Sequence, residues 1–95
     1  MQQAWVYMLR CADGSLYTGW TIDLQRRLAC HRDGRASRYT ASRRPLELVF
    51  SAPMPDRKAA MREEAAIKRL DRAGKLALLA AASNGHPEVK AAVAA

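Results

Sequence analysis

Seven arginines, Arg26, Arg27, Arg32, Arg35, Arg38, Arg43 and Arg44, fall within one fifth of the chain, and only Asp33 opposes them. Seven against one leaves that stretch a surplus of six positive charges, out of +7 for all 95 residues. Every basic residue in it is arginine, whose planar fork suits paired contacts to phosphate oxygens better than the point charge of lysine. Neutralising phosphates releases counterions, so such a patch is a footprint for nucleic acid, against the alternatives of a solvated loop or an anionic membrane surface. Two phenols, those of Tyr7 and Tyr17, can join a single site only if their strands turn them to one face. Cys11 and Cys30 are too few and too far apart for a disulfide framework or a zinc site.

The elements that must position these groups are legible in outline. Trp5 to Arg10 reads as a strand and Ser15 to Gly19 as its partner, with Ala12-Asp13-Gly14 as the turn. A two-residue Asp13-Gly14 turn pairs Tyr7 with Trp20 and sends the two tyrosines to opposite faces. A three-residue turn, with Gly14 left-handed in a bulge, pairs Tyr7 with Gly19 and Leu9 with Tyr17, and puts both phenols on one face. The sequence permits either. Thr21 or Asp23 caps a helix running to about Arg32, in which Leu24, Arg27, Leu28 and His31 share a face. The leucines turn that face inward and place Arg27 and His31 at the edge of the core. Gly34 ends the helix, and the basic stretch from Arg35 to Arg44 carries a short helical turn around Ser37–Ser42.

A third strand, Leu46 to Ala52, lies between Pro45 and the breakers Pro53 and Pro55. Pro55-Asp56 opens a long helix to about Arg72, Gly74 stops it, and Lys75 to Ala82 forms a shorter one. The order predicts an α+β domain over residues 1–82, a three-stranded antiparallel sheet flanked by helices. Residues 83–95, beginning near Asn84-Gly85-His86-Pro87, form an alanine-rich tail, either a docked helix or a frayed end. Apolar residues at 49% and charged residues at 26% are ordinary globular values. No apolar run approaches the ~20 residues of a membrane span, and no secretory signal opens the chain, so a cytoplasmic single-domain protein is expected.

Val6-Tyr7-Met8, then Tyr17-Thr18-Gly19, then Arg27 and a glutamate, Glu64, on a long helix together resemble the GIY-YIG nuclease superfamily. Asp23-Leu24-Gln25-Arg26-Arg27-Leu28 followed by His31, Tyr39-Thr40 before Arg43-Arg44-Pro45, and Ala60-Met61-Arg62-Glu63-Glu64 with Ile67-Lys68 are similar to its small stand-alone YhbQ-like group. The likeness covers roughly residues 4–80. It departs from the usual pattern at Met8 and Thr18, and at Trp20, where several relatives carry a small, polar or basic residue. A tryptophan there either stacks on a base or caps the core.

The resemblance implies metal-assisted hydrolysis of a phosphodiester by Tyr7, Tyr17, Arg27, His31 and Glu64. Glu64 would hold one Mg²⁺ or Mn²⁺, a hard cation that keeps several waters. Arg27 would brace the scissile phosphate, and Tyr7 or Tyr17 would orient or deprotonate the attacking water. His31 is then a proton shuttle or a phosphate contact. Glu63 lies about 100° round the helix from Glu64, and the family pattern selects Glu64. Arg26, Arg35, Arg38, Tyr39, Arg43 and Arg44 are the expected contacts to nucleic acid, DNA with RNA not excluded. A chain of this length leaves no room for a second recognition domain, which implies selection by structure instead of sequence, or specificity from a protein partner or homodimer. A non-catalytic nucleic-acid binding module of the same fold is the competing reading, and an adaptor for an acidic protein is the third.

Overall fold

The turn decides which residues face each other. In the computed structural model, which describes residues 3–83 and 92–93, strand β1 (Ala4–Arg10) pairs antiparallel with β2 (Leu16–Thr21), Tyr7 opposite Gly19 and Leu9 opposite Tyr17. The connection is the three-residue Ala12-Asp13-Gly14 loop: Cys11 N–H donates to Ser15 O at 2.9 Å, and Gly14 takes φ +87°. Only glycine adopts that conformation at little cost. Asp13 Oδ1 accepts from both the Ser15 N–H and its hydroxyl, at 3.0 and 2.6 Å. Tyr7 and Tyr17 therefore share one face.

Strand β1 is central, with β2 on one side and β3 (Leu46–Met54) on the other. Its residues alternate between two cores, as strand geometry requires. Val6 and Met8 pack with Val49, Phe50, Ile67, Leu79 and Ala82 behind the sheet, under helices α3 (Arg57–Lys68) and α4 (Arg72–Ser83). Tyr7, Leu9 and Cys11 pack with Leu46 and Leu48 in front, under Leu24 and Leu28 of α1 (Leu24–Arg32). The result is a helix–sheet–helix sandwich, the expected α+β architecture. A two-residue strand β4 (Ala92–Val93) adds to it by pairing with Leu46 and Glu47. The rest of the predicted tail, residues 84–91 and 94–95, lies outside the described residues.

Asp23 caps α1 by accepting the Arg26 N–H at 3.1 Å. At the other end Arg35 N–H bonds Cys30 O and Gly34 N–H bonds His31 O, so the helix closes where the glycine was expected to end it. The short helix α2 (Arg38–Ala41) is capped by Ser37. Two expectations need correction. Strand β3 continues through Pro53, paired with Trp5, because β4 covers the other edge of β3 only at Leu46 and Glu47 and an edge position tolerates a missing N–H. The long helix ends at Lys68 instead of Arg72. Asp71 then starts α4, its carboxylate accepting the Gly74 N–H at 2.8 Å, so Gly74 lies inside the second helix and terminates neither.

Candidate active site

The front face carries a buried polar chain. Tyr7 Oη is 2.7 Å from His31 Nε2, His31 Nδ1 is 2.9 Å from Thr40 Oγ1, and Thr40 Oγ1 is 2.8 Å from Ser37 Oγ. Tyr7 is 2% exposed, His31 1% and Thr40 0%. The chain joins β1, α1 and α2. Gly19 makes room for it: a Cβ there would stand 2.7 Å from Tyr7 Oη, so the cross-strand partner of Tyr7 must lack a side chain.

Counting protons orients the chain. A buried hydroxyl without an acceptor is costly, and Tyr7 Oη has one hydrogen-bonding partner among the described residues, His31 Nε2. Thr40 has a choice of acceptors, Ser37 Oγ and, at 3.4 Å, Ser37 O. Every proton is satisfied when Tyr7 donates to Nε2, Nδ1–H donates to Thr40 Oγ1, and the Thr40 hydroxyl donates to Ser37. Burial, then the Arg27 charge, pushes the His31 pKa down to about 4, so the ring is neutral at pH 7 and has one acceptor nitrogen. Burial and the neighbouring Tyr17 hold the Tyr7 phenol well above the ordinary tyrosine range. Arg27 opposes that shift and Glu64 adds to it, so both charges reach the phenol.

Around this chain stand the remaining aromatic groups. The half-buried Tyr17 meets His31 edge-on, with ring centroids 5.3 Å apart, and stacks on Tyr39 at 6.1 Å. Arg43 lies 3.8 Å above the Tyr39 ring, held there by Asp13 Oδ2 at 3.0 Å and by Tyr39 O at 3.0 Å. Arg44 bonds Ala41 O and Arg32 O at 2.9 and 3.2 Å, tying the end of α1 to α2. Both arginines, expected on phosphate, are thus also bonded within the fold and stay accessible to solvent. Arg26, Arg27 and Arg35 come together, lining a groove of about 510 Å³ with Thr21, Ile22, Asp23, Cys30 and Ala36. Arg38 is exposed on α2, outside that groove.

Two helical positions differ from expectation. His31 is not at the edge of the core but wholly inside it, with both ring nitrogens engaged, so it has no nitrogen for a phosphate. Arg27 flanks the leucine face and is exposed. Glu64 sits on the stripe of α3 that contains Ala60 and Ile67, 0% and 3% exposed, four residues before it and three after. Its side chain is 21% exposed and pairs with Lys68 at 3.3 Å. Glu63, three residues after Ala60 and four before Ile67, flanks the same stripe symmetrically and is also half-buried, so this spacing does not choose between the two. Thr40 was missed: it looks like one more hydroxyl in a polar loop, and its partner lies nine residues away.

The model of the GIY-YIG catalytic domain matches residues 3–77. The chain belongs to the GIY-YIG nuclease family. Among its GIY-YIG relatives, a UPF0213 protein of Xanthomonas axonopodis pv. citri is 49% identical over 76 residues, covering 80% of this chain and 74% of that one. A UPF0213 protein of Streptococcus sanguinis is 44% identical over 77 residues, 81% of this chain and 88% of the other. The solution NMR structure of a UPF0213 protein from Bacillus halodurans, 40% identical, superposes with a TM-score of 0.58 and covers 90% and 89% of the two chains. The small YhbQ-like group of GIY-YIG proteins is thus the one to which the chain is similar.

Proposed function

We propose that the protein is a divalent-metal-dependent endonuclease that hydrolyses nucleic-acid phosphodiester bonds and selects substrates by structure. The observation that carries this reading is the buried Tyr7–His31–Thr40 chain joining β1, α1 and α2, with the charges of Arg27 and Glu64 both acting on its phenol.

The donor set suits a hard cation. Glu64 is a lone carboxylate with one oxygen turned to Lys68, and no group of three or more acidic, histidine or cysteine ligands exists among the described residues. Mg²⁺ needs little more, since it keeps most of its waters and takes phosphate oxygens as ligands. Bound at Glu64, such an ion supplies charge neutralisation on the phosphate and acidifies water.

The chain's own residues do the rest. Arg27 holds the scissile phosphate. The attacking water places its oxygen on phosphorus while its proton passes to Tyr7 Oη, and Tyr7 hands its own proton to His31 Nε2. The bond from phosphorus to the leaving oxygen breaks, and that oxygen takes a proton from solvent. In the free protein this relay runs uphill, because Tyr7 holds its proton tightly and His31 accepts one poorly. A phosphate on Arg27 cancels one of the two causes that depress His31, so substrate binding itself makes the base stronger. Tyr17, edge-on to His31 and backed by Tyr39, fixes the ring's orientation.

The test is cleavage of nicked, branched and single-stranded DNA with Mg²⁺ or Mn²⁺. Glu64→Ala should lower the rate by roughly 10²-fold or more, and Glu63→Ala should leave it unchanged. Equal loss in both variants removes the assignment of Glu64. A wild-type protein that binds all of these substrates and cuts none is a binding module.

A further inference from the structure

Arg27 is a wall shared by two grooves. On one side is the arginine groove with Arg26 and Arg35. On the other is a smaller one, about 360 Å³, lined by Trp20, Thr21, Ile22, Arg27 and Arg57. The second crosses the sheet edge. Trp20 pairs with Val6, whose side chain belongs to the core behind the sheet, and Arg57 opens α3 in that rear layer. Arg27 comes from α1 in front. Arg57 lies seven residues before Glu64, so the two occupy one stripe of the helix.

Folding does not account for this surface. Trp20 and Ile22 belong to neither core cluster among the described residues; Trp20 is half-buried and Ile22 is 36% exposed. An aromatic face and an aliphatic side chain beside two arginines form a surface that an anionic or apolar ligand alone would use only in part. A nucleobase with its phosphate uses all of it: the ring stacks on the indole, and the guanidinium groups take the charge.

We propose that Trp20 is a stacking platform for an unpaired nucleobase next to the phosphate held by Arg27, with Arg57 on the adjoining phosphate. The strand then continues past Arg27 into the groove of Arg26 and Arg35. This rests on the reading that the chain acts on nucleic acid, and it adds that the nucleotide beside the cut is unstacked. It also settles the role of Trp20, which binds substrate and does not cap the core.

The experiment uses the full chain with Trp5→Phe, which leaves Trp20 as the sole tryptophan, and with Glu64→Gln to suppress cleavage. A short oligothymidylate and a strand of equal length with abasic sites throughout are titrated, reading indole emission and strand anisotropy. Oligothymidylate should quench Trp20 emission, and the abasic strand should bind without quenching it. Trp20→Ala should weaken oligothymidylate roughly 5- to 140-fold and leave the abasic strand unaffected. Trp20→Leu keeps an apolar side chain at the site and should give the same result if alanine unfolds the protein. Binding without quenching, or an equal loss of affinity for both strands, overturns the stacking platform and leaves the nuclease reading standing. If neither strand binds, both fall.

Discussion

Thr40→Val tests the buried chain directly. Valine keeps the shape of the side chain and removes one atom, Oγ1, which stands 2.9 Å from His31 Nδ1 and 2.8 Å from Ser37 Oγ. Two responses are open to His31. If its proton stays on Nδ1, a donor is left unpaired in a side chain that is 1% exposed, at a cost of about 1–3 kcal/mol. If the proton moves to Nε2, that nitrogen becomes a donor to Tyr7, and the Tyr7 proton loses its acceptor inside the same desolvated site. Either way stability falls by about 1–3 kcal/mol, lowering Tm by roughly 4–8 °C for each kcal/mol in a domain of this size. Only the second response also removes the proton acceptor of Tyr7, and cleavage should then fall by roughly 10²-fold, the lower end of what a positioned acid–base group contributes. Single-turnover cleavage with saturating protein gives the rate, and ring-nitrogen NMR shifts of His31 give the tautomer. Thr40→Ser restores the hydroxyl and should restore both. A valine variant whose proton has moved to Nε2 and that keeps the wild-type single-turnover rate refutes the relay, whatever its Tm.

Gly19→Ala should displace the Tyr7 phenol, because the new Cβ would stand 2.7 Å from its oxygen; we expect a stability loss of about 1–3 kcal/mol by chemical denaturation and a larger proportional loss of cleavage. His31 has a folded-state pKa of about 4 against 6.5 unfolded, so between these values the unfolded chain binds more protons. Its stabilising contribution is complete above pH 6.5 and is lost as pH falls toward 4, by up to about 3 kcal/mol. Thermal melts across that window should show the loss, and His31→Gln should flatten it. Arg26→Ala and Arg35→Ala should each reduce the slope of log affinity against log salt by about 0.9. Arg44→Ala should lower Tm through its lost bonds to Ala41 O and Arg32 O and leave the slope as it was.

What a sequence can disclose here depends on how far each signal travels along the chain. Strands and helices follow from apolar periodicity within a few residues, and the sandwich of α1 against α3 and α4 follows from their order. The hairpin was ambiguous because both turns satisfy the same local preferences; the bonds between Cys11 and Ser15 and the left-handed Gly14 select one. Gly74 reads as a stop, but the signal that divides α3 from α4 is the cap Asp71, three residues earlier. Glu64 needs the family pattern to be distinguished from Glu63, because the buried Ala60 and Ile67 flank both glutamates symmetrically. The duties of Arg43 and Arg44 were invisible. Their partners Asp13 and Arg32 lie thirty and twelve residues away, and nothing in a run of arginines says which will bond back to the fold.

The hairpin tip has two anchors. Arg43, just past the helix α2 that carries Tyr39, holds Asp13, and Arg72 of α4 donates to Gly14 O at 3.0 Å. Exposed turns are ordinarily where a chain best accepts an inserted tag or a permuted terminus. In this protein a graft between Ala12 and Ser15 would pull on both helical layers at once and loosen the cation that sits on Tyr39, so a label meant to be silent would report itself as lost catalysis.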